Sequence, residues 1–212
     1  RRVANSMLWL GYNAITRLHP IYKVTVTGLE NLGGGPFILC PNHQSYSDVV
    51  YLFRLPLHFK WIVKRELFWV PLFGAAMRVA GFPSIHRGNP KSAVALMEKV
   101  ARYLRAGVPI LSFPEGSRST TGCLGPFQNG SARMAIVNQV PLIPVGVIGT
   151  ARMLPKGSAM YPGRAHISIH VGKPIPTEGL ATRDIRRVTR ELREAVVEAK
   201  ARAQKSITAA AP

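Results

Sequence analysis

Short apolar segments of strand-like composition alternate along this chain with segments of helical periodicity, and this alternation constrains the fold more than any other feature. Domains that bury a sheet between layers of helices have sequences of this kind. We therefore predict a single layered α/β domain with a central mixed β-sheet flanked by helices. The strand candidates are residues 22–27, 37–40, 59–63, 108–113, 142–148 and 165–171, and the helix candidates are 48–53, 90–106, 130–137 and 183–203.

The length of the chain, 212 residues, suits one sizeable hydrophobic core better than two domains. We predict that residues 21–205 form this domain, that residues 1–20 form an appended helix, and that the alanine-rich end at 206–212 is a frayed tail. The three glycines at 33–35 separate the first two strand candidates, and this turn predicts that the two strands form a hairpin.

Three uncharged segments are candidates for contact with a membrane. Residues 3–16 have an amphipathic pattern with Trp9 at its edge, so we expect the N-terminal helix to lie at a membrane interface. Proline and glycine interrupt residues 67–77, which we interpret as a buried or re-entrant segment. Two prolines divide residues 134–151 into the end of a helix and a strand. None of the three segments therefore predicts a helix that spans the membrane.

The chain is strongly basic, with 28 Lys and Arg against 10 Asp and Glu and a formal net charge of +18. A polyanionic partner follows from this charge, but nucleic acid, an anionic membrane surface and a phosphorylated substrate would all satisfy it. The basic residues are spread along the whole chain and no nucleic-acid motif is present, so we expect no nucleic-acid partner.

The two cysteines, Cys40 and Cys123, are too few for a disulfide framework, and neither has a second Cys or His at zinc-like spacing. We expect reduced thiols, a cytosolic environment and no metal site. His166 and His170 could share one face of a strand, but the sequence places no third ligand near them.

A first group of polar residues follows the apolar strand candidate 37–40. Asn42 and His43 come directly after Pro41, and Asp48 lies five residues beyond the histidine. A carboxylate at this spacing can accept a hydrogen bond from one imidazole nitrogen and leave the other nitrogen able to take a proton. No Gly-x-Ser-x-Gly motif supplies a nucleophilic serine, so a hydroxyl of the substrate is the candidate nucleophile.

A second group follows the strand candidate 108–113. The turn Pro114-Glu-Gly-Ser-Arg118 can direct backbone N–H groups at a developing oxyanion, and its arginine can bind phosphate through two hydrogen bonds. Taken alone, the same sequence is also compatible with an ordinary glycine turn that carries a solvent-facing arginine.

Four blocks in order resemble the glycerolipid acyltransferase family, best represented by the 1-acylglycerol-3-phosphate O-acyltransferases. They are Asn42-His43-x4-Asp48, Lys64-Arg-Glu-Leu67 leading to Ile85-His-Arg87, Phe113-Pro-Glu-Gly-Ser-Arg118, and Val140-Pro-Leu-Ile-Pro-Val145. Each block is weak alone, but the four together cover residues 22–175 at sensible spacing.

The resemblance implies transfer of an acyl group from acyl-CoA or acyl-carrier protein, as co-substrate and without a cofactor, to a lysophospholipid hydroxyl at the cytoplasmic face of a membrane. His43 would be the general base, Asp48 its orienting partner, and Lys64 with the backbone of Gly116 the oxyanion stabilisers. The acceptor would lie against Asn42, Arg87, Glu115, Ser117 and Arg118, with the two arginines on its phosphate and Glu115 chiefly shaping the turn.

One departure from the family pattern bears on the acceptor. Family members that act on lysophosphatidic acid commonly continue with Phe-Lys-x-Gly, whereas this chain has Phe127-Gln-Asn-Gly130. Another lysolipid or a glycolipid is therefore an alternative acceptor. Two further hypotheses about function remain: a hydrolase that gives the acyl group to water, and a basic lipid- or nucleic-acid-binding module without turnover.

Overall fold

The computed structural model describes residues 22–119, 122–152 and 165–208, and its centre is a six-stranded mixed sheet. Four of the five strand pairings in this sheet are parallel, and the fifth, between its last two strands along the chain, is antiparallel. The strands are β1 (Tyr22–Thr27), β2 (Ile38–Pro41), β3 (Lys60–Trp61), β6 (Ile110–Leu111), β7 (Leu142–Ile148) and β8 (Ala165–Val171), in the spatial order β1-β8-β7-β2-β6-β3. The predicted mixed sheet is confirmed.

The first strand does not form the predicted hairpin with β2. It pairs in parallel with β8, from Tyr22 opposite Ala165 to Thr27 opposite His170, and β2 lies between β6 and β7 instead. The connection through residues 33–35 is thus a crossover between distant strands. Local turn chemistry suggested a hairpin, but the continuous burial of β2 suits the middle of a parallel sheet.

Helices cover both faces of the sheet, as the alternation of side chains in β2 requires. Leu39 packs with the helices α1 (Ser47–Leu52) and α2 (Phe73–Ala80) on one face. Ile38 and Cys40 point to the other face and pack with three longer helices. These are α3 (Pro90–Arg105), α4 (Gly130–Asn138) and α5 (Ile185–Thr208). The result is a three-layer α/β/α domain, as predicted from the alternation.

Capping signals set the ends of α3. The Asn89 side chain accepts a hydrogen bond from the Ser92 N–H at 3.2 Å, Pro90 occupies the first turn, and Gly107 takes a φ of +73° just after the helix. The last helix, α5, follows a 3-10 turn at Thr182–Asp184 and continues to Thr208, so helix extends into the segment predicted as a frayed tail.

A small parallel ribbon lies beside the main sheet. It consists of β4 (Val63–Lys64) and β5 (Ser84–Ile85), with Lys64 opposite Ile85. Between them the chain forms a 3-10 turn at Arg65–Trp69 and then α2. The strand candidate 59–63 therefore splits into β3 and β4, which belong to different sheets.

The segment 67–77, predicted as buried or re-entrant, is exposed at residues 69–72 and buried at Gly74 and Met77. Trp69 is 74% exposed and Leu72 is 88% exposed, because the segment projects from the domain between β4 and β5. None of the helices in the described ranges is both long and apolar enough to cross a bilayer. The predicted amphipathic helix at 1–20 lies outside the described residues.

Candidate functional site

The candidate site forms where three neighbouring parallel strands end. Strands β2, β6 and β3 lie side by side, so the residues after each strand reach the same edge of the sheet. This topology brings the loop with His43, the turn after Phe113 and the ribbon with Lys64 together. Both motif groups predicted from the sequence therefore meet in space.

The imidazole of His43 is held by the carboxylate of Asp48. His43 Nδ1 lies 2.8 Å from Asp48 Oδ2, and the aspartate side chain is fully buried while the histidine side chain is 15% exposed. The same oxygen accepts the backbone N–H groups of Gln44, at 2.7 Å, and Ser45, at 2.9 Å. A carboxylate can only accept from Nδ1–H, so this contact fixes the tautomer and leaves Nε2 with its lone pair.

Two further contacts fix His43 in place. The ring of Phe113 stacks on the imidazole with centroids 3.8 Å apart and planes 21° apart. The backbone N–H of His43 donates to Glu115 Oε1 at 2.7 Å, while Glu115 Oε2 accepts the Gly125 N–H at 2.9 Å. Glu115 is buried and shapes both loops, as predicted, and this position does not suit contact with a substrate.

In the turn after β6, the backbone of Gly116 does not take the predicted role of stabilising an oxyanion. Its φ is +70°, which favours glycine, and its N–H donates to the Phe113 carbonyl at 3.1 Å. The N–H expected to stabilise an oxyanion is thus used within the turn. Gly116, Ser117 and Arg118 nevertheless line the cavity beside His43, and the Ser119 N–H donates to the His43 carbonyl at 2.8 Å.

The side chain of Asn42 is bonded internally and is only 1% exposed, which corrects its predicted role in substrate binding. Its Nδ2 donates to the Val147 carbonyl at 2.9 Å, and its Oδ1 accepts the Val147 N–H at 2.7 Å. With these two bonds, the Asn42 side chain extends the hydrogen-bond ladder between β2 and β7 beyond the end of β2. Asn42 therefore braces the loop that carries His43.

Four cations surround the cavity next to His43. Lys64, Arg87 and Arg118 were predicted from the sequence, and Arg133, from the first turn of α4, was missed. The guanidinium of Arg118 lies over the Tyr46 ring, 3.7 Å from its centroid. Lys64 is half exposed and lies 3.7 Å from Glu66. No motif in the sequence marks Arg133, because only the packing of α4 turns it toward the site.

The cavity itself is large and mostly apolar. Its volume is about 1030 Å³, at the upper end of small-molecule sites. Its walls come from α2, α3, α4, the ribbon and the strand ends, and include Trp61, Phe73, Leu96, Met97 and Met134. The site thus combines a poised imidazole, a cationic rim and space for a long apolar group.

Other reactive groups lie outside this arrangement. Cys40 is fully buried behind the site, and burial raises the pKa of its thiol to about 12, which keeps it protonated and unreactive. In the part of the chain that the structure describes, no group of three or more His, Cys, Asp or Glu side chains could hold a metal ion.

The fold and the site define an α/β domain that carries its chemistry where neighbouring parallel strands end. The profile of the family described as Acyltransferase matches residues 23–148, more than half of the chain. The chain belongs to the Acyltransferase family, which confirms the resemblance to glycerolipid acyltransferases.

Individual relatives agree with this assignment. A chloroplastic 1-acyl-sn-glycerol-3-phosphate acyltransferase, BAT2, from Brassica napus is 34% identical over 160 residues, which cover 74% of this chain and 46% of the relative. A 1-acyl-sn-glycerol-3-phosphate acyltransferase from Pseudomonas aeruginosa is 32% identical over 173 residues, covering 81% of this chain and 66% of the relative. The chain thus spans about half the length of the plant relatives it matches.

A solved structure shares the fold. The crystal structure of the 1-acyl-sn-glycerophosphate (LPA) acyltransferase PlsC from Thermotoga maritima matches with a TM-score of 0.69 and 28% identity, over 85% of this chain and 73% of that chain. The architecture predicted from the alternation of segments is therefore also that of a structurally similar acyltransferase.

Proposed function

We propose that this chain transfers a fatty acyl group from a thioester, acyl-CoA or acyl-carrier protein, to the free hydroxyl of 1-acylglycerol-3-phosphate, giving phosphatidic acid. The observation that carries the proposal is the 2.8 Å contact between His43 and Asp48 at the mouth of a large apolar cavity rimmed by cations. The names of the relatives support the choice of acceptor.

In the proposed reaction, His43 acts as the general base. Its Nε2 takes the proton of the acceptor hydroxyl as the hydroxyl oxygen forms a bond to the thioester carbonyl carbon. The tetrahedral intermediate then collapses, the carbon–sulfur bond breaks, and the proton on Nε2 passes to the departing thiolate. Asp48 stabilises the transient imidazolium, and no acyl-enzyme, cofactor or metal is required.

The cationic rim has two tasks in this proposal. Arg87 and Arg118 bind the phosphate of the acceptor, since guanidinium groups match phosphate through paired hydrogen bonds. Lys64 stabilises the oxyanion of the intermediate, a task that falls to it more heavily because the Gly116 N–H is bonded within its turn. The apolar walls of the cavity receive an acyl chain.

We also propose that the protein works at an anionic membrane surface, on its cytoplasmic face. The net charge of +18 supports attraction to anionic lipid, and a lysophospholipid acceptor resides in such a surface. The chain has only two cysteines, too few for a disulfide framework, and this supports a reducing compartment.

A different lysolipid or a glycolipid is a second candidate acceptor, and the position of Gln128 favours it. The Gln128 side chain lies beside Gly116, next to the Arg87 guanidinium: a Cβ on the glycine would be 3.6 Å from Gln128 Cγ and 3.9 Å from Arg87 Nη2. A neutral amide therefore stands beside the proposed phosphate site, where a lysine would add a charge.

The test is transfer from one acyl-CoA to a panel of lysolipids, followed by thiol release and product mass. We expect release only with an acceptor present, strongest with 1-acylglycerol-3-phosphate. His43→Ala should lower the rate by on the order of a hundredfold or more, because the general base is lost. His58→Ala, which changes an exposed histidine before β3, is the matched control.

Other outcomes would redirect or end the proposal. Free fatty acid as the product would identify a hydrolase, and a preference for another lysolipid would support the second acceptor. Lipid binding without thiol release under any condition would identify a binding module, and wild-type turnover by His43→Ala would remove the histidine from the chemistry.

A further inference from the structure

An exposed apolar tip projects from the domain next to the candidate site. We define the tip as residues 69–72, Trp-Val-Pro-Leu, from the last residue of the 3-10 turn to the residue before α2. Trp69 is 74% exposed, Val70 is 44% exposed and Leu72 is 88% exposed, and Val79 on α2 adds a further exposed apolar side chain at 65%. Four large exposed apolar side chains within eleven residues are a concentration that singly scattered surface residues do not show.

A strained turn holds the outermost side chain in solvent. Leu72 has φ +59° and ψ −54°, and the Phe73 N–H donates to the Pro71 carbonyl at 2.6 Å. This is a γ-turn of the rare positive-φ kind, a backbone conformation that is strained for a leucine. Backbone strain that keeps a leucine almost fully exposed has no benefit for packing of the isolated domain.

The base of the excursion is fastened to the domain. Lys60 Nζ donates to the Ala80 carbonyl, the Tyr103 hydroxyl to the Gly81 carbonyl, and Lys99 Nζ to the Phe82 carbonyl at 2.8 Å. Three consecutive carbonyls after α2 are thus bound by side chains from β3 and α3. The tip is presented on a fixed support.

Charges around the tip are mainly positive. Lys64, Arg65 and Arg78 flank it, against one carboxylate in the segment 64–80, Glu66, which lies 3.7 Å from Lys64. Arg78 lies over the Trp69 ring, 5.7 Å from its centroid, and donates to the Phe68 carbonyl at 2.6 Å. Tryptophan at the boundary between apolar and basic side chains suits the headgroup level of an anionic bilayer.

The tip is also continuous with the wall of the cavity. The cavity beside His43 and Arg87 is lined by Leu67 before the tip, Val70 in the tip and Phe73 after it. An apolar surface therefore extends from the exposed tip into the site. A lipid tail that passes from the bilayer into the site would stay in contact with apolar side chains, while the cations lie at the level of the headgroups.

We propose that residues 69–72 insert into the interface of an anionic lipid bilayer, with Trp69 and Leu72 among the acyl chains and Arg65 and Arg78 at the phosphates. The inference deepens the proposed function, on which it rests for the presence of a lipid acceptor, by assigning the surface that meets the membrane. Strain in the turn is offset when the leucine leaves water for hydrocarbon.

A probe on the tip tests insertion without using activity. In the full chain with Cys123→Ser, a Leu72→Cys variant carries an environment-sensitive fluorophore, and Cys40 does not react because it is buried. The matched control is Val197→Cys on α5, 46% exposed and on the helix that covers β7 and β8. We expect a blue shift at position 72, and not at 197, with vesicles of equimolar phosphatidylcholine and phosphatidylglycerol.

Two results would overturn the proposal: no vesicle-dependent shift at position 72, or a shift that grows with protein concentration alone, which would mean that a second copy covers the tip. A catalytically inactive chain that still shows the shift would retain the insertion and reject only the proposed function.

A double substitution gives the second test. Trp69→Ser with Leu72→Ser should weaken partitioning into the same vesicles about tenfold or more, since two apolar side chains no longer leave water. Val137→Ser with Val197→Ser, which changes two exposed valines elsewhere, should leave partitioning near wild type. Equal partitioning of the two double variants would contradict insertion of the tip.

Discussion

The environment of His43 assigns a separate partner to each part of the residue. Asp48 holds Nδ1, Phe113 covers the ring, and Glu115 and Ser119 bond the backbone N–H and carbonyl. Only Nε2 is left for a substrate proton. An imidazole held in this way stays in the orientation in which it can accept the proton. Such fixed orientation is a large part of the rate acceleration that an active site provides.

The one-sided bonding of Asp48 allows a sharp substitution. Oδ2 makes the contacts to His43, Gln44 and Ser45, whereas Oδ1 is buried with no hydrogen-bond partner. Asp48→Asn can therefore place its oxygen at the Oδ2 position, keep these bonds and the tautomer, and lose only the charge. We expect kcat to fall on the order of tenfold to a hundredfold with KM nearly unchanged, measured by thiol release.

Loss of folding would confuse this experiment, so the thermal midpoint of Asp48→Asn is its control and should stay close to wild type. If kcat is unaffected in a folded variant, the carboxylate charge has no part in the reaction.

At the residue scale, the sequence predicted what local spacing encodes and missed what distant contacts decide. The short spacing between His43, in the loop after β2, and Asp48, in the first turn of α1, was enough to predict their contact. Asn42 was misassigned because its partner, Val147, is 105 residues away. Arg133 had no signal, since its place at the cavity depends on how α4 packs against the strand ends.

The close approach of α5 to β7 shows how the elements are held together. A Cβ on Gly146 would lie 2.3 Å from the backbone carbonyl carbon of Ala199, and a Cβ on Gly172 would lie 3.7 Å from the Cβ of the same alanine. Glycine is required at position 146 because the helix backbone itself, and not a movable side chain, occupies the space. The last helix can therefore lie directly on the sheet.

We predict that Gly146→Ala destabilises the domain by about 3 kcal/mol or more, because the helix must move away from the sheet. Denaturant unfolding followed by circular dichroism measures the loss. Gly33→Ala is the matched control: the added Cβ meets nothing within 4 Å, and its free energy of unfolding should stay close to that of wild type. Similar unfolding of both variants would contradict this packing.

Two histidines on β8 make the β1–β8 pair sensitive to pH. His166 Nε2 lies 2.8 Å from Thr25 Oγ1, and His170 Nδ1 lies 2.9 Å from Thr27 Oγ1. Burial lowers the pKa of both histidines, and nearby Lys23 and Arg202 act in the same direction, respectively. The folded state thus binds fewer protons than the unfolded state below an ordinary histidine pKa of about 6.5.

Stability should accordingly be complete above about pH 6.5 and fall as the pH drops through that value. The measurement is the urea midpoint at about pH 7.5 and about pH 5, for wild type and for His166→Gln with His170→Gln. The variant should lose less stability on acidification than wild type. An equal or larger loss would show that other groups carry the pH dependence.

At the scale of elements, long apolar segments were predictable and pairings were not. The strands β7 and β8 have the predicted bounds, since continuous apolar runs mark buried strands. The predicted hairpin of β1 with β2 was wrong, because the glycine turn between these strands carries no information about β8, the strand that pairs with β1. The apolar composition of the segment 67–77 predicted a buried or re-entrant segment, but it does not distinguish Met77, which is buried in the core, from Trp69 and Leu72, which are exposed.

For the whole molecule, charge and apolar surface should contribute separately to membrane binding. The net charge of +18 attracts anionic lipid over a distance that salt shortens, from about 10 Å at 0.1 M to about 3 Å at 1 M. We predict that partitioning into equimolar phosphatidylcholine and phosphatidylglycerol vesicles falls steeply over this range. Vesicles of phosphatidylcholine alone, measured by sedimentation, should show little salt dependence, and a flat response with both would contradict a role for the charge.

The pairing of β1 with β8 has a consequence for synthesis of the protein. Tyr22 finds its neighbour Ala165 only after about 140 more residues have left the ribosome, which takes roughly 7 to 30 s at ordinary elongation rates. During that interval the strand has no partner, while β2, β6 and β7 can already assemble. The nascent chain must therefore keep this strand from pairing elsewhere, and completion of the sheet edge is a late event in its biogenesis.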